Sequence, residues 1–365
     1  MRKHRFIVSG GGTGGHIFPA IAIADALADR LPDSEILFVG AEGKMEMEKV
    51  PQAGYKIKGL KVTGLKRSLT WKNLLFPFKL TTSLIQARKI LRNFNPEVVI
   101  GVGGYASAPT VAMASLMGIP TLIQEQNSYA GLTNKWLARR VDRICVAYEG
   151  MDVFFDAEKM VHTGNPVRKN LMNLPDKIDA LEHFGLAYNK KTILVFGGSL
   201  GAKTLNQAME GGTKEIRKSK DVQFIWQIGS FYHDAFIDCE TAKLANVTPL
   251  VFIQRMDLAY ACADLVICRA GALTVSELCV LGKASILVPS PNVAEDHQTA
   301  NARAMVKMGA AEMITDFEAA DGLIDKALAM IHGTERLEEI EKNSLALGRP
   351  DATRDIVNEI LKIMK

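Results

Sequence analysis

Short apolar runs rich in β-branched residues alternate along the chain with longer amphipathic segments. The pattern predicts β-strands at 6–8, 36–39, 98–102, 121–123, 192–196, 223–228, 265–268 and 286–288. Segments between them repeat apolar residues at helical spacing, as Ile23, Leu27 and Leu31 do within 20–31. Strand, short loop, helix and strand in succession predict parallel βαβ units whose sheet is covered on both faces.

The order of these elements occurs twice along the chain. The stretch "IVSGGG" from Ile7 is similar to "LVFGGS" from Leu194. Likewise, "VVIGVGGYASAPTVAMASLMGIPTLI" from Val98 is similar to "LVICRAGALTVSELCVLGKASILV" from Leu265. Two matches in the same order predict tandem α/β domains of the Rossmann-like, doubly wound type with parallel sheets. Because Gly and Pro interrupt the chain near 164–168, the predicted domains are 1–163 with a returning C-terminal helix in 346–365, and 164–345.

Composition narrows the class of protein. A length of 365 residues suits two domains, and a formal net charge of +4 does not indicate nucleic-acid binding. The five cysteines are scattered without a Cys-x-x-Cys pair, which predicts reduced thiols in a cytoplasmic protein and no zinc site. No signal peptide is visible, and no uncharged apolar stretch reaches the roughly 18 residues of a membrane span. We therefore expect a protein that is soluble or lies on a membrane without crossing it.

Glycine-rich loops follow several of the predicted strands, at 10–15, 101–104, 197–201 and 270–271. Ligands bind at the carboxyl ends of strands in open α/β sheets, and backbone N–H groups at helix N-termini attract anions. Two such domains facing each other across a cleft predict a substrate that carries a diphosphate. The chain has no Asp-x-Asp, so helix termini rather than a clamped metal would stabilise a leaving diphosphate.

The first glycine loop also satisfies a dinucleotide fingerprint, with Gly10, Gly12 and Gly15 in Gly-x-Gly-x-x-Gly spacing. That fingerprint needs an acidic residue about 20 positions later, and the nearest candidate, Glu42, comes late. An NAD-dependent dehydrogenase therefore stays a weaker alternative. A UDP-sugar epimerase, which would share the two-domain shape, and a sensor that binds a nucleotide sugar without chemistry are further alternatives.

Seven motifs occur in a fixed order: "GGTGGHIFPA", "GVGGYASAP", "EQNSYAGLTNKWLA", "GNPVR", "GGSLGA", "CRAGALTVSEL" and "DHQTANA". In this order the chain resembles the MurG family over residues 6–305. Members transfer N-acetylglucosamine from UDP-N-acetylglucosamine to lipid I, undecaprenyl-diphospho-N-acetylmuramoyl-pentapeptide, to form lipid II. The resemblance implies a GT-B fold, an inverting transfer without metal or other cofactor, and a place in peptidoglycan synthesis. Two positions depart from the family pattern: Gln124 replaces a histidine that could titrate, and Leu200 replaces a glutamine.

The resemblance also implies the donor-binding residues, chiefly in the second domain. Glu277 would accept from the ribose hydroxyls, although Thr274 and Glu277 also have the spacing of a capping box at a helix start. Ser199 would meet the diphosphate, Ile253 the uracil and Gln298 the sugar. The full set implied for substrate binding is Thr13, Gly14, Gly15, Asn127, Arg168, Ser199, Ile253, Ala272, Leu273, Thr274, Val275, Ser276, Glu277 and Gln298.

The transfer needs a base that takes the proton of the acceptor's 4-hydroxyl. A histidine has a reference pKa of about 6.5, which suits this role, and His16 borders the first glycine loop. His16 could instead only pack at the start of its helix. Glu125 is the rival candidate for the base. The sequence leaves the choice between the two open.

A lipid-linked acceptor also implies contact with a membrane surface. Basic and aromatic residues mix within 64–80 and again in "NKWLARR". Such clusters suit an anionic interface, although an ordinary helix could bury the same aromatic residues. The predicted contacts are Lys66, Arg67, Trp71, Lys72, Leu75, Phe76, Phe78, Lys79, Trp136 and Arg140. The implied location is peripheral, at the cytoplasmic face of the bacterial inner membrane, with cell-wall synthesis proteins as candidate partners.

Overall fold

A computed structural model describes residues 3–62 and 76–364; the side chains of 76–79 and of residue 294 are not described. The chain divides into two compact units. One comprises Met1–Val167 with Asp351–Lys365, and the other comprises Arg168–Pro350.

The first unit is built on a parallel sheet. Its strands are β1 (Arg5–Ser9), β2 (Glu35–Ala41), β3 (Lys56–Leu60), β4 (Val98–Gly101), β5 (Thr121–Glu125), β6 (Arg143–Val146) and β7 (Met160–His162). They form one seven-stranded sheet in the order β3-β2-β1-β4-β5-β6-β7, and every pairing is parallel. The helices between them are α1 (Gly14–Arg30), α2 (Glu46–Gln52), α3 (Phe76–Phe94), α4 (Ser107–Leu116) and α5 (Leu132–Leu137).

The central strands of this sheet are buried on both faces, which explains their continuous apolar sequence. In β1, Ile7 packs into the core on one face, whereas Phe6 and Val8 pack into the core on the other. All three side chains are fully buried. The loops that follow the central strands are therefore carried on a rigid base.

The second unit repeats this plan. Its strands are β8 (Lys191–Phe196), β9 (Val222–Gln227), β10 (Val247–Leu250), β11 (Leu265–Cys268), β12 (Ser285–Leu287) and β13 (Glu312–Met313). They form a six-stranded parallel sheet in the order β10-β9-β8-β11-β12-β13. Its helices are α6 (Lys177–Phe184), α7 (Lys203–Gly211), α8 (Thr213–Lys218), α9 (His233–Phe236), α10 (Met256–Cys262), α11 (Ala272–Leu281), α12 (His297–Lys307), α13 (Asp316–His332) and α14 (Thr334–Ala346). Short 3₁₀ turns occur at Met151–Val153, Lys169–Leu171, Thr241–Lys243 and Ala294–Asp296.

The last helix, α15 (Ala352–Lys362), lies in the first unit. It packs against α1, where Ile356, Val357 and Ile360 join the core beneath β1. Nε of the partly exposed Arg143 in β6 is 3.4 Å from Oε2 of the buried Glu359 on this helix. These contacts attach the end of the chain to the first sheet.

The fold class expected from the sequence is confirmed: both sheets are wholly parallel and each is of the Rossmann-like type. Each predicted strand is present, with ends that shift by at most two residues. Short edge strands such as β3, with the sequence "KIKGL", were not predicted, because alternating lysines give no continuous apolar run. Among the described residues, no helix is long and apolar enough to cross a membrane.

Candidate active site

The first glycine loop joins β1 to α1 and surrounds a carboxylate that the sequence motifs did not reveal. The Glu46 carboxylate is buried at the start of α2, and its Oε2 accepts a hydrogen bond from the Gly12 N–H at 2.9 Å. Its Oε1 accepts from the Ala41 N–H at 2.9 Å. The His16 side chain, in the first turn of α1, has its Nδ1 3.2 Å from the Gly11 carbonyl oxygen and 3.3 Å from Thr13 Oγ1. The loop is thus held from inside its own unit, and His16 is attached to it.

The second glycine loop, after β4, packs directly on the first. A Cβ on Gly104 would lie 2.2 Å from the Gly11 carbonyl oxygen, and a Cβ on Gly103 would lie 2.9 Å from His16 Nε2. Both glycines also have positive φ, 91° and 84° for 103 and 104, which L side chains rarely adopt. Glycine at these two positions is required by the close approach of the loops around His16.

Glu125 ends β5 and is buried. Its carboxylate accepts hydrogen bonds from the N–H and the Nδ2 of Asn127, at 3.1 and 3.3 Å. It also accepts from the Gly131 N–H at 3.0 Å and from Asn134 Nδ2 at 2.9 Å. A carboxylate with this many donors is suited to shape the loop 126–131 and to orient Asn127. These contacts favour a structural role for Glu125 over that of a base.

Gln124, where the family pattern has histidine, lies in a buried amide network of the first unit. Its Nε2 donates to Asn165 Oδ1 at 2.8 Å, and its Oε1 accepts from Gln126 Nε2. Asn165 Nδ2 donates in turn to the Gln126 carbonyl at 2.9 Å. The amide therefore supports the strand ends from which the Asn127 loop departs, without a titratable group.

In the second unit, α11 begins at Ala272 with Gly271 as its N-cap, and no side chain caps this helix start. The capping-box interpretation of Thr274 and Glu277 is therefore wrong, because Glu277 lies in the second turn of the helix. The Ser276 hydroxyl donates a hydrogen bond to the Ala272 carbonyl of the same helix at 3.0 Å. No side chain therefore caps the backbone N–H groups of residues 272–275 at this helix N-terminus.

Glu277 instead joins two neighbours. Its Oε1 accepts from Arg168 Nε at 2.8 Å, and its Oε2 accepts from the buried Tyr260 hydroxyl at 3.1 Å. Burial opposes the charge of the Arg168 guanidinium, but the Glu277 carboxylate more than offsets this and the pKa of Arg168 is raised. Burial, and then the Glu277 charge, raise the pKa of Tyr260 well above its ordinary value. The side chain of Arg168 is 48% exposed, so the pair presents a fixed cation beside a fixed carboxylate.

Gln227, at the end of β9, connects two loops expected to hold the donor. Its Nε2 donates to the Gly198 carbonyl at 2.8 Å, and its Oε1 accepts from the Ile253 N–H at 2.9 Å. The glycine loop 197–201 turns at Gly201, where φ is 87°, and the Leu200 side chain is 63% exposed. Gln227 could not be found from the sequence, because its role depends on which loops lie beside the strand end.

Gln298 stands in the first turn of α12 and its Oε1 accepts from the Ser290 N–H at 2.9 Å. The two residues that precede this helix, Glu295 and Asp296, have φ of 57° and 52°. Left-handed backbone at non-glycine residues is uncommon and is concentrated at functional sites. The bend sets the direction in which α12 presents Gln298.

Of the predicted membrane contacts, Lys66, Arg67, Trp71, Lys72 and Leu75 lie outside the described residues. Phe76, Phe78 and Lys79 belong to α3, although their side chains are not described. Trp136 of α5 is 46% exposed, and the Arg140 guanidinium lies over its ring at 4.9 Å from the centroid. Leu132, on the same helix, is 70% exposed.

Throughout 3–62 and 76–364, no three His, Cys, Asp or Glu side chains cluster in a way that could hold a metal ion. The five cysteines are free thiols, and four of them are buried. Burial raises the pKa of the Cys145 thiol to about 12, so this thiol stays protonated near neutral pH.

Tandem Rossmann-like units with glycine loops at the carboxyl ends of their strands are the architecture of the GT-B fold. The models of the glycosyltransferase family 28 N-terminal and C-terminal domains match residues 6–146 and 192–356. The chain belongs to glycosyltransferase family 28, and within it to the MurG family of N-acetylglucosamine transferases.

The similarity extends over the full length. The chain is 55% identical to the UDP-N-acetylglucosamine--N-acetylmuramyl-(pentapeptide) pyrophosphoryl-undecaprenol N-acetylglucosamine transferase of Parabacteroides distasonis, covering 100% of this chain and 99% of that one. It is 54% identical to the transferase of the same name from Bacteroides fragilis, with 98% and 95% covered. The crystal structure of Acinetobacter baumannii MurG aligns with a TM-score of 0.81 at 30% identity, over 99% and 100% of the two chains. A UDP-GlcNAc 2-epimerase from Neisseria meningitidis aligns with a TM-score of 0.66 at 15% identity over 99% and 100%, which shows a shared fold alone.

Proposed function

We propose that this protein transfers N-acetylglucosamine from UDP-N-acetylglucosamine to the N-acetylmuramoyl residue of undecaprenyl-diphospho-N-acetylmuramoyl-pentapeptide. The observation that carries this conclusion is the identity of 54–55% over the whole length to curated transferases of that name. The epimerase alternative is supported only by folds at about 15% identity. None of these relatives supports the dehydrogenase alternative.

The second unit is the proposed donor site. Glu277 is the proposed acceptor for the ribose hydroxyls, and the Arg168 cation beside it suits the donor's negative charge. The N-terminus of α11, at residues 272–275, and the loop of Ser199 offer backbone N–H groups to a diphosphate. Gln227 supports this arrangement by holding the Ser199 loop and the segment of Ile253 at a fixed distance. Gln298 is the proposed hydrogen-bond partner of the sugar.

The first unit supplies the proposed base and the acceptor side. The acceptor's 4-hydroxyl oxygen forms a bond to the anomeric carbon as the bond from that carbon to the diphosphate oxygen breaks. UDP leaves with the bonding electron pair, and the hydroxyl proton passes to Nε2 of His16. Thr13, Gly14 and Gly15 form the start of α1, which carries this histidine, and Asn127 lies in the loop after β5. Attack opposite the leaving group inverts the configuration.

Reconstitution with both substrates tests the function directly. Purified protein with UDP-N-acetylglucosamine and a polyprenyl-diphospho-N-acetylmuramoyl-pentapeptide is expected to form the disaccharide lipid and an equal amount of UDP, measured by mass spectrometry. Conversion of UDP-N-acetylglucosamine into its 2-epimer without transfer would instead establish the epimerase. Binding of UDP with no product of either kind would favour a sensor and would contradict the proposal.

We further propose that the first unit binds an anionic membrane surface at the cytoplasmic face of the inner membrane. The described residues that support this are Trp136 and Leu132, exposed apolar side chains beside the Arg140 cation. A lipid-linked acceptor requires such contact, because its polyprenyl chain is insoluble in water.

Replacing Trp136 with Ser and Arg140 with Gln together is expected to lower binding to vesicles rich in anionic lipid. A single cation near such a surface contributes about 1 kcal/mol, so we expect a loss of at least about fivefold in the partition coefficient. Vesicle flotation measures the bound fraction. Phe317→Ser, which removes an aromatic side chain 92% exposed in the second unit, is the control. Equal flotation of all three proteins would contradict the assignment of this patch.

A further inference from the structure

One peptide group of the first glycine loop contacts both a buried carboxylate and His16. The N–H of Gly12 donates to Glu46 Oε2 at 2.9 Å. The carbonyl of Gly11, on the other side of the same peptide bond, lies 3.2 Å from His16 Nδ1. Since N–H and C=O belong to one planar conjugated group, a carboxylate at the N–H polarises the carbonyl oxygen towards greater negative charge.

The contact with Gly11 favours a proton on Nδ1 of His16. A carbonyl oxygen can only accept, so a 3.2 Å approach of Nδ1 is favourable only when Nδ1 is protonated. The Thr13 hydroxyl at 3.3 Å can accept from the same N–H. In the neutral ring the other nitrogen, Nε2, is then the acceptor, which is the form that a general base requires.

The surroundings hold this peptide group in one orientation. Glu46 is only 1% exposed, and its second oxygen is held by the Ala41 N–H, so the carboxylate has a fixed position. On the opposite side, the Gly11 carbonyl is so close to Gly104 that no Cβ fits there. A rotation of the peptide would therefore break a hydrogen bond of a buried carboxylate, which is costly.

We propose that Glu46 is a positioning residue for His16, which it orients and polarises through the Gly11–Gly12 peptide group. The arrangement is carboxylate, peptide N–H, peptide C=O and imidazole Nδ1–H in sequence. It resembles a carboxylate–histidine pair with one peptide inserted between the two side chains. The inference rests on the proposed function in one respect, since it gives His16 the part of the base in that transfer.

This role also changes what the first glycine loop can do. The Gly12 N–H is engaged by Glu46 and does not face a phosphate. A buried negative charge beneath the loop further disfavours a second anion beside Gly11 and Gly12. The first loop is thus adapted to orient His16, in contrast to the diphosphate role expected for the loops of the second unit.

Glu46→Gln tests the proposal with little change in volume. A glutamine has one acceptor oxygen for the two N–H groups, of Ala41 and Gly12, that the carboxylate serves. Glu48→Gln is the matched control, because it makes the same charge change on the same helix at an exposed side chain that accepts from Gln52. Thermal unfolding and UDP binding verify that each variant is folded.

The direct readout is the ¹⁵N spectrum of the imidazole nitrogens in ¹⁵N-histidine-labelled full-length protein. The protein has seven histidines, so His16→Gln assigns the signals of His16 by difference. In the wild type we expect a protonated Nδ1 and an unprotonated Nε2 for the neutral ring. We expect mixed tautomers in Glu46→Gln and an unchanged spectrum in Glu48→Gln. A wild-type ring protonated at Nε2, or an unchanged ring in Glu46→Gln, would overturn the proposal.

Kinetics separates positioning from general damage. We expect kcat of Glu46→Gln to fall by about 10-fold, because Glu46 acts on the orientation of the base. KM for UDP-N-acetylglucosamine should stay within about twofold, because Glu46 does not contact the proposed donor site. An unchanged kcat, or a change confined to KM, would contradict the role. If the wild type transfers no sugar, the proposed function fails, whereas the tautomer comparison still decides the inference on Glu46.

Discussion

His16→Ala is expected to lower kcat for sugar transfer by about 10²–10⁴-fold while Kd for UDP stays within about twofold. The imidazole is the group proposed to take the hydroxyl proton, and alanine supplies no substitute. The side chain stands in the first turn of α1 and contacts the loops of the first unit. The proposed uridine and diphosphate contacts are in the second unit, so binding of UDP should be nearly unaffected.

Product formation followed by mass spectrometry gives kcat, and titration calorimetry gives Kd for UDP. His4→Ala is the matched control, since His4 lies before β1 of the same unit and pairs there with Glu97, outside the glycine loops. A His16→Ala protein that keeps most of its turnover would show that His16 is not the base. Weakened UDP binding with unchanged turnover would place the imidazole on the donor instead.

The parallel sheets could be predicted from the sequence because their central strands are buried on both faces. Strands such as β1 and β8 are nearly continuous apolar runs followed by glycine, a pattern typical of the central strands of a parallel sheet. Edge strands such as β3 and β13 are short or alternate with charged residues. Whether such a segment pairs depends on the neighbouring strand, which is a tertiary property.

The candidate site was predictable where a residue type is tied to a short motif. The glycines and His16 of the first loop are of this kind. Glu46 was not, because it approaches Gly12 from 34 positions along the chain and its helix carries a second acidic residue, Glu48. The glycine at position 40 is explained by Glu46, since a Cβ there would lie 2.5 Å from Glu46 Cγ. This relation depends on a distance that only the structure gives, so the sequence held no signal for Glu46.

Glu277 illustrates the opposite error, since a local rule suggested a role that the structure does not give. The capping-box spacing with Thr274 is real, but a capping box exists only if the helix begins at the threonine. The helix begins at Ala272 because Gly271 already has the extended backbone of an N-cap. Glu277 is then too far along the helix to cap it, and its carboxylate turns to Arg168 and Tyr260.

Glu277→Gln is expected to raise Kd for UDP-N-acetylglucosamine by about 10- to 100-fold, since hydrogen bonds to a charged group contribute about 1.5–3 kcal/mol each. The carboxylate is the proposed acceptor for the ribose hydroxyls. An amide of the same size accepts more weakly and turns an NH₂ group towards one of its partners. Glu312→Gln is the matched control: it converts a carboxylate of the same unit, paired with Lys326 at 3.1 Å, into an amide.

A different role for Glu277 predicts the same loss, namely that the carboxylate only holds Arg168 in place for the diphosphate. The two roles differ in their dependence on the ribose, so Kd is measured for UDP, 2′-deoxy-UDP and 3′-deoxy-UDP with both proteins. If Glu277 accepts from a ribose hydroxyl, the penalty of Glu277→Gln shrinks towards unity for the analogue that lacks this hydroxyl. If Glu277 acts only on Arg168, the penalty is equal for all three ligands. Equal penalties would therefore remove Glu277 from the ribose site and leave it as the support of the Arg168 cation.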